Sequence, residues 1–369
     1  MSEIGYEVDF LPVGEGSKSG DSIVIRWGKL LADPIEQTVI VIDGGYTNSG
    51  EAIVSHIKNH YKTETVDCVI NTHPDNDHVG GLRYVLENLK VANLLIHRPW
   101  LHTDGISSWF KDGRVTDNSV QKSIKESLEW AYNLEQLALR NGVNVVEPFT
   151  GVKGFNGVLR IIGPTRDYYD ELLLDFKGTP EPKEISANES MFESILGKMA
   201  TFASEAITMV GESLGIETLD DGGETSAENN SSAIILLTIE GKHLLFTGDA
   251  GIPALENAVS LLESEGFDFS DLGFIQVPHH GSKRNIGPSL LDRMIGPKQS
   301  VESKIKTAFV SSAKEGSPKH PSKKVTNAFR RRGAHVYGTC GISVYHYKNA
   351  PNRGWGSAES FPMYNQVEE

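Results

Sequence analysis

The chain has 369 residues, with 49 Asp and Glu against 35 Lys and Arg, a formal net charge of −14 and a hydrophobic fraction of 38%. That length buries a substantial core and that balance suits a soluble enzyme; no apolar run approaches the ~20 residues of a membrane span, and the opening MSEIGYEVDF lacks the regions of a signal peptide, so a protein neither embedded in a membrane nor exported is expected. Two cysteines, Cys68 and Cys340, are too few for a disulfide framework, which points to a reduced, cytoplasmic chain, and the acidity repels polyanions unless a local basic patch or metal ions receive them.

The first stretch holds three strand patterns, EVDFLPV, SIVIRWG and TVIVIDGG, with apolar and β-branched residues between glycine-rich turns. After Asp43-Gly44-Gly45 the segment SGEAIVSHIKNHY has helical spacing, with Ser49 as a candidate N-cap. VDCVINTH is a strand running into the loop NTHPDNDHVGGL; GGLRYVLENL restarts a helix and ANLLIH is the next strand. This alternation of strand and helix indicates an α/β sandwich. Residues 119–141, SVQKSIKESLEWAYNLEQLALRN, form the clearest amphipathic helix, ended by Gly142.

After the strand GVLRIIGP the pattern changes. Residues 166–228 bring RDYYDELLLDF, a Pro-rich turn, NESMFESILGKMATFASEAITMVGESL and the acidic DDGGETSAEN, which read as a helical insertion and a mobile linker. Strands resume at SSAIILLTIEGKHLLFTGDA and continue through FIQVPHHGS, TAFVSSA, AHVYG and GISVYHY. The expected organisation is thus a first half-domain over 1–165, the insertion over 166–228, a second half-domain over 229–349 and an unpatterned tail over 350–369. No internal period suggests a repeat array.

NTHPDNDHVGGL packs His73, Asp75, Asp77 and His78 into six positions at a strand end. Imidazole and carboxylate are ligands for zinc, manganese or iron, and carboxylates clustered without a basic partner otherwise repel one another. LLFTGDAG places Asp249 after an apolar strand, and IQVPHHGS does the same with His279 and His280. A lone aspartate after a strand is more often a helix cap. Three strand ends that each present ligands imply a common centre.

Taken in order, Asp43, THPDNDHVGG, FTGDAG and PHHGS resemble the metallo-β-lactamase fold superfamily of hydrolases, and within it the hydrolase domain of ComEC-type competence proteins. The subgroup's features appear here as HxDxDH over His73–His78, NxxS over Asn229–Ser232, HHGS over His279–Ser282 and a KHP turn over Lys319–Pro321, while FLPVGEGSKSGDSIVI resembles its opening VGQGDA stretch. The resemblance implies an αββα sandwich and two divalent ions, Zn2+ or Mn2+. His73 and Asp75 would hold one, Asp77, His78 and His279 the other, with Asp249 bridging and Asp43 orienting a ligand. His280 is the alternative to His279. The chain departs from the broader family at Asp75, where a histidine is common, and before FTGDAG, where Asn229 and Ser232 stand in the region of the usual third histidine. The first site is therefore oxygen-rich, which favours manganese or labile zinc.

Paired ions that share a hydroxide suit phosphoester, thioester and lactone hydrolysis alike. An oxygen-rich site leans toward phosphate esters, because hard cations match phosphate oxygens. Asp77, His280 and His320 are the candidate catalytic groups, with His320 a proton donor to the leaving group or a phosphate contact. Ser282, Lys283 and Arg284 form a candidate phosphate clamp and His97 a candidate pocket residue. The leading expectation is a metal-dependent phosphodiesterase or nuclease, with a protein partner in a multi-component system as an extension. The alternatives are a small-substrate hydrolase, acting on a cyclic nucleotide or phosphocholine-like group, and a non-catalytic assembly module. Lysines and arginines over 314–332, with Arg353 and Trp355, are the candidate basic rim for nucleic acid.

Overall fold

A computed structural model describes residues 3–183, 209–315 and 320–368. Most of the predicted helix NESMFESILGKMATFASEAITMV, and Lys319 of the KHP turn, lie outside the described residues.

Side chains alternate along a strand, so each strand with apolar residues at both parities must be covered on both faces. In β2 (Ser22–Lys29), Ile23, Ile25 and Trp27 join one buried cluster while Val24 joins another; in β3 (Glu36–Gly44), Ile40 and Ile42 separate from Val39 and Val41 in the same way. These two strands sit in a seven-stranded sheet with β1 (Gly5–Phe10), β4 (Thr65–Ile70), β5 (Lys90–Leu95), β6 (Asn144–Val146) and β15 (Val344–Lys348), in the order β15-β1-β2-β3-β4-β5-β6. The second seven-stranded sheet comprises β7 (Lys153–Gly154), β8 (Leu159–Gly163), β10 (Ile234–Ile239), β11 (Lys242–Phe246), β12 (Leu272–Gln276), β13 (Lys306–Val310) and β14 (Ala334–Gly338), in the order β14-β13-β12-β11-β10-β8-β7. A short third pair joins β9 (Met209–Gly211) to β16 (Gln366–Glu368).

One cluster lies between the two large sheets, with Phe10, Ile25 and Ile42 from the first meeting Ile235, Phe246 and Phe274 from the second. A second fills the outer face of the first sheet, against α1 (Ser49–His56), α2 (Asn76–Val79), α3 (Leu82–Asn88), α4 (Asp117–Ser127) and α5 (Glu129–Arg140). Tyr169, from α6 (Arg166–Leu172), also belongs to it. A third covers the second sheet with α8 (Ile252–Ser264), α9 (Pro288–Met294) and α10 (Lys323–Arg331), while the single turn α7 (Ala227–Asn230) leads into β10. The result is the αββα sandwich expected from the sequence.

Local details differ from the sequence pattern. The helix read over 119–141 is two helices, because Leu128 leaves the helical region at φ −112° and ψ 38°. Val120, Ile124, Leu128, Ala131, Leu134 and Ala138 all stay in one buried cluster, so the stripe looks continuous in sequence although the backbone bends. The N-cap position of α1 belongs to Asn48, with Ser49 its first helical residue.

The acidic stretch read as a mobile linker is anchored. Asp221 accepts hydrogen bonds from Ser289 N and Ser289 Oγ at 3.0 and 2.6 Å, Ser226 caps α7, and Leu219 is buried under the second sheet. Composition predicts solvation of such a run; here Asp220, Asp221 and Glu228 each accept internal hydrogen bonds, while Glu224 is exposed.

Candidate metal centre

The ligand-bearing loops leave three strand ends: β4 leads to His73–His78, β11 to Asp249 and β12 to His279–His280. Close turns are needed to aim them inward, and Asp43, His279 and His280 all adopt the left-handed region at φ 55°, 47° and 53°. Such strain at non-glycine residues persists only where surrounding contacts fix it, and it gathers at functional sites. Gly81 at the foot of α3 has no room for a side chain, since a Cβ there would lie 2.1 Å from the Gly44 carbonyl oxygen.

Asp249 is the hub. Its Oδ2 lies 3.4 Å from His78 Nε2, 3.5 Å from His279 Nε2, 3.8 Å from His280 Nε2 and 3.9 Å from His73 Nε2. Asp77 Oδ2 faces His280 Nε2 at 3.6 Å and His78 Nε2 at 3.9 Å, and Asp75 Oδ2 lies 3.9 Å from His73 Nε2. The structure therefore brings His73, Asp75, Asp77, His78, Asp249, His279 and His280 to one place. His280 is the more deeply placed of the adjacent histidines: it groups with Asp77 and His78 within ligand reach, whereas the His279 side chain is 28% exposed at the mouth. His279 Nδ1 lies 3.0 Å from Asn285 Oδ1 and 3.3 Å from Asn229 Nδ2, so the tautomer that donates to Asn285 turns the Nε2 lone pair toward Asp249.

Asp43 sits beneath the loop, fully buried, and accepts hydrogen bonds from Thr72 N at 2.8 Å, Thr72 Oγ1 at 2.6 Å and Asn71 Nδ2 at 3.2 Å. His78 Nδ1 is 2.8 Å from Asp43 Oδ2, which fixes the Nε2 edge toward Asp249. Ser232 Oγ accepts from Asp249 N at 3.1 Å, so Asn229 and Ser232 steady ligands. Such outer partners tune a metal strongly. Asp43→Asn is expected to weaken metal binding by about 10–100-fold with little change in fold, read by titration of stripped protein against a chromogenic chelator.

Electrostatics at the centre follow from crowded carboxylates. Burial alone would push the His78 imidazole down, but Asp249, Asp43 and Asp77 outweigh it and hold its pKa well above the usual range. His280 is likewise raised to about 9, against burial, by Asp249, Asp77 and Asp21. Asp249 and Asp77 stay well below the carboxylate range despite burial, because of the surrounding histidines.

The test of fit for a metal is the satisfaction of polar atoms. His73 Nε2, His78 Nε2, Asp249 Oδ1 and both ring nitrogens of His280 are buried without a hydrogen-bond partner among the described residues. An orphaned buried polar atom costs about 1–3 kcal/mol, and several converging on one carboxylate need a common ligand. The set is imidazole nitrogen and carboxylate oxygen, donors that suit a divalent ion of the zinc or manganese type. The residues fit.

Sequence reasoning missed three members. Asp21, 2% exposed, accepts from Gln276 Nε2 at 2.8 Å and groups with Asp249 and His280 within ligand reach. Its signal was present, since Gly20-Asp21 lies inside the SKSGDSIVI stretch quoted above. Gln276 itself also accepts from Thr247 N and Gly248 N, tying β12 to the loop that carries Asp249. Lys177, from the insertion, pairs with Asp75; no spacing rule connects residues 102 positions apart.

The other nominated residues fall as follows. His320 stacks on His279 with ring centroids 6.0 Å apart and planes 18° from parallel. Beside it lies a cavity of about 180 Å³, lined by Lys323, Thr326, Cys340, Phe361 and Tyr364 among others. Ser282 is buried, and its Oγ accepts from Arg284 N at 3.3 Å, so it shapes the turn; Lys283 is half-buried and Arg284 exposed. His97 is buried, stacked on Tyr169 at 4.5 Å, and held down to about 3 by burial. It packs between Tyr169 and Phe149.

The arginines of the candidate rim are paired internally, while Lys314 is exposed and Lys323 half-buried beside the cavity. Arg331 is fully buried against Glu212 at 2.8 Å, Arg332 pairs with Glu217 and Asp292 at 2.7 Å each, and Arg330 pairs with Glu302. Arg353 is buried against Asp9 and Glu7 at 2.6 and 2.9 Å and lies over Trp355. These guanidiniums bind the chain to itself.

No curated protein matches the chain. Solved structures that resemble it include a Thermotoga maritima protein whose metallo-beta-lactamase name is provisional, at 11% identity and a TM-score of 0.33, over 66% of this chain and 78% of that one. The family model described as the metallo-beta-lactamase superfamily matches residues 19–298. That span begins before Asp21 and ends after His280, taking in the strands that aim the ligands as well as the ligands, and the chain therefore belongs to the metallo-beta-lactamase superfamily, whose members are mostly metal-dependent hydrolases.

Proposed function

We propose that this chain is a metal-dependent phosphodiesterase, related in its motifs to the ComEC-type hydrolase domain. The observation that carries the reading is the convergence of His73, Asp75, Asp77, His78, His280 and Asp249, with buried atoms of His73, His78, His280 and Asp249 that have no partner among the described residues and that a cation would satisfy. His73 and Asp75 would hold one ion, Asp77, His78 and His280 the other, with Asp249 between them. The depth of His280 favours it over His279 for that place. When bound, such ions supply a water-derived nucleophile at neutral pH and withdraw charge from a phosphoryl oxygen.

The chain's own groups would then do the following. Asp43 keeps the proton on His78 Nδ1 and so leaves Nε2 as a donor of electron pairs. Asp21 and Gln276 hold the β12 side of the pocket rigid against the Asp249 loop. His320, stacked on His279 at the cavity, stands where an imidazole N–H can pass a proton to the departing oxygen. The cavity beside His320, with Phe361 and Tyr364 in its wall, suits the non-reacting aromatic or nucleoside half of a diester.

The internal ion pairs of Arg330–Arg332 and Arg353 favour a small diester over a polymer, because cations already paired and buried cannot release counterions from a nucleic-acid backbone. A purely structural module accounts poorly for so complete a ligand set. Among the described residues no helix is long and apolar enough to cross a membrane.

The deciding experiment is hydrolysis by metal-stripped protein refilled with manganese or zinc. The panel comprises single- and double-stranded DNA, RNA, cyclic nucleotides and a chromogenic diester, with the Asp77→Ala, Asp249→Ala double variant as control. Hydrolysis of small diesters that vanishes in the double variant is the expected outcome. Cleavage confined to polymers would make the protein a nuclease, and metal binding without any phosphodiester cleavage would sink the reading.

A further inference from the structure

The insertion contributes one side chain to the centre. Lys177 Nζ lies 2.9 Å from Asp75 Oδ1, while the other oxygen of that carboxylate, Oδ2, faces His73 Nε2. The Lys177 side chain is 60% exposed and Asp75 28% exposed, so the pair stands at the solvent mouth rather than in the core. A surface lysine is ordinarily a loose point charge worth little. This one is held by its backbone. Lys177 N donates to Glu228 Oε1 at 2.6 Å, and Glu228 is only 2% exposed. Phe176 before it is buried against Tyr169, and the Gly178 carbonyl after it accepts from Ser123 Oγ at 2.6 Å. Gly178 itself, at φ 91°, has no space for a side chain, since a Cβ would meet Ser127 Oγ at 2.2 Å. Thr179 Oγ1 closes the turn on the carbonyls of Leu174 and Phe176. A fixed loop thus delivers an ammonium to the edge of the centre, beside Asp75.

We propose that Lys177 is the anion clamp of this site, a positioning residue that contacts a non-bridging phosphoryl oxygen of the substrate and selects anionic esters over neutral ones. An ammonium has three donors and Asp75 takes one, leaving the others for substrate oxygens. The clamp also accounts for the aspartate at position 75: a histidine there has no second oxygen to share between Lys177 and the centre. Charge supports the same assignment, because Asp21, Asp43, Asp75, Asp77 and Asp249 put five carboxylates around the pocket, and a phosphodiester carries one more negative charge into it. The proposal rests on the phosphoester reading above and names how that site recognises its substrate.

The test compares wild type with Lys177→Ala, Lys177→Arg and Lys177→Glu, each refilled with manganese and checked for metal content. Two substrates are used, the anionic diester bis-p-nitrophenyl phosphate and the neutral ester p-nitrophenyl acetate, and inorganic phosphate binding is read separately by the thermal shift of the loaded protein. Lys177→Ala is expected to raise KM for the diester about tenfold with kcat changed far less, to leave the neutral ester unaffected and to weaken phosphate binding by a similar factor. Lys177→Glu is expected to be worse and Lys177→Arg close to wild type. Equal effects on both esters, undiminished phosphate binding, or loss of metal from Lys177→Ala would each overturn the clamp, the last by showing that the ammonium acts only through Asp75. If wild type cleaves no phosphodiester, the function reading fails, while phosphate binding that disappears in Lys177→Ala and Lys177→Glu still upholds the clamp.

Discussion

Asp249→Ala is expected to lower kcat/KM for a diester by at least about 10³-fold and to lower the metal content of the purified protein. Asp249 Oδ2 is within 4 Å of four histidine nitrogens, on His73, His78, His279 and His280, and no other side chain at the centre reaches so many. Its loss separates the two groups of ligands and removes the largest of the charges that raise His78 and His280. The backbone consequence is small, because Asp249 N keeps Ser232 Oγ and the Asp249 carbonyl keeps Asn285 Nδ2 at 2.8 Å. Circular dichroism of the variant should therefore match wild type while kinetics and elemental metal analysis do not. Activity within tenfold of wild type, at unchanged metal content, would contradict Asp249 as the shared ligand.

Arg331→Ala is expected to destabilise the protein by about 3–5 kcal/mol, read as a lowered urea midpoint. Both Arg331 and Glu212 have fully buried side chains. Removing the guanidinium strands the Glu212 carboxylate, which otherwise receives hydrogen bonds from Arg331, Asn327 and Thr218. It also removes the donors to the carbonyls of Ser213 and Ile216 and so frees the end of the insertion from α10. Glu212→Ala should cost a similar amount, whereas the double change Arg331→Met, Glu212→Leu should cost much less, since a buried pair replaced as a unit leaves no orphan charge. A variant that instead kept full stability and lost affinity for DNA would restore the basic-rim reading of Arg330–Arg332.

The contrast between those residues shows what a sequence displays. His73 to His78 were legible because the ligands are packed within one loop, and Asp249, His279 and His280 because each follows an apolar strand. Arg330–Arg332 were misleading because charge is visible in a sequence and its neutralisation is not: Glu212 and Glu217 lie more than a hundred positions away. Lys177 was passed over for the related reason that a single Lys has no spacing to distinguish it, while Asp21 was marked only by its place in the SKSGDSIVI stretch. The apolar stripe of 119–141 fixed which residues are buried and said nothing of the bend at Leu128.

By itself, then, the chain determined an α/β sandwich through its alternation of strand and helix, with the αββα layering implied by the family resemblance, and it determined the ligand loops, since three strand ends that each present Asp or His imply a common centre. Only the tertiary structure decided the rest: His280 set deeper than His279, Asp21 and Lys177 brought to the centre, and the arginines turned into internal ties. Those outcomes depend on desolvation and on partners distant in sequence, and both come into being when the two sheets close on one another.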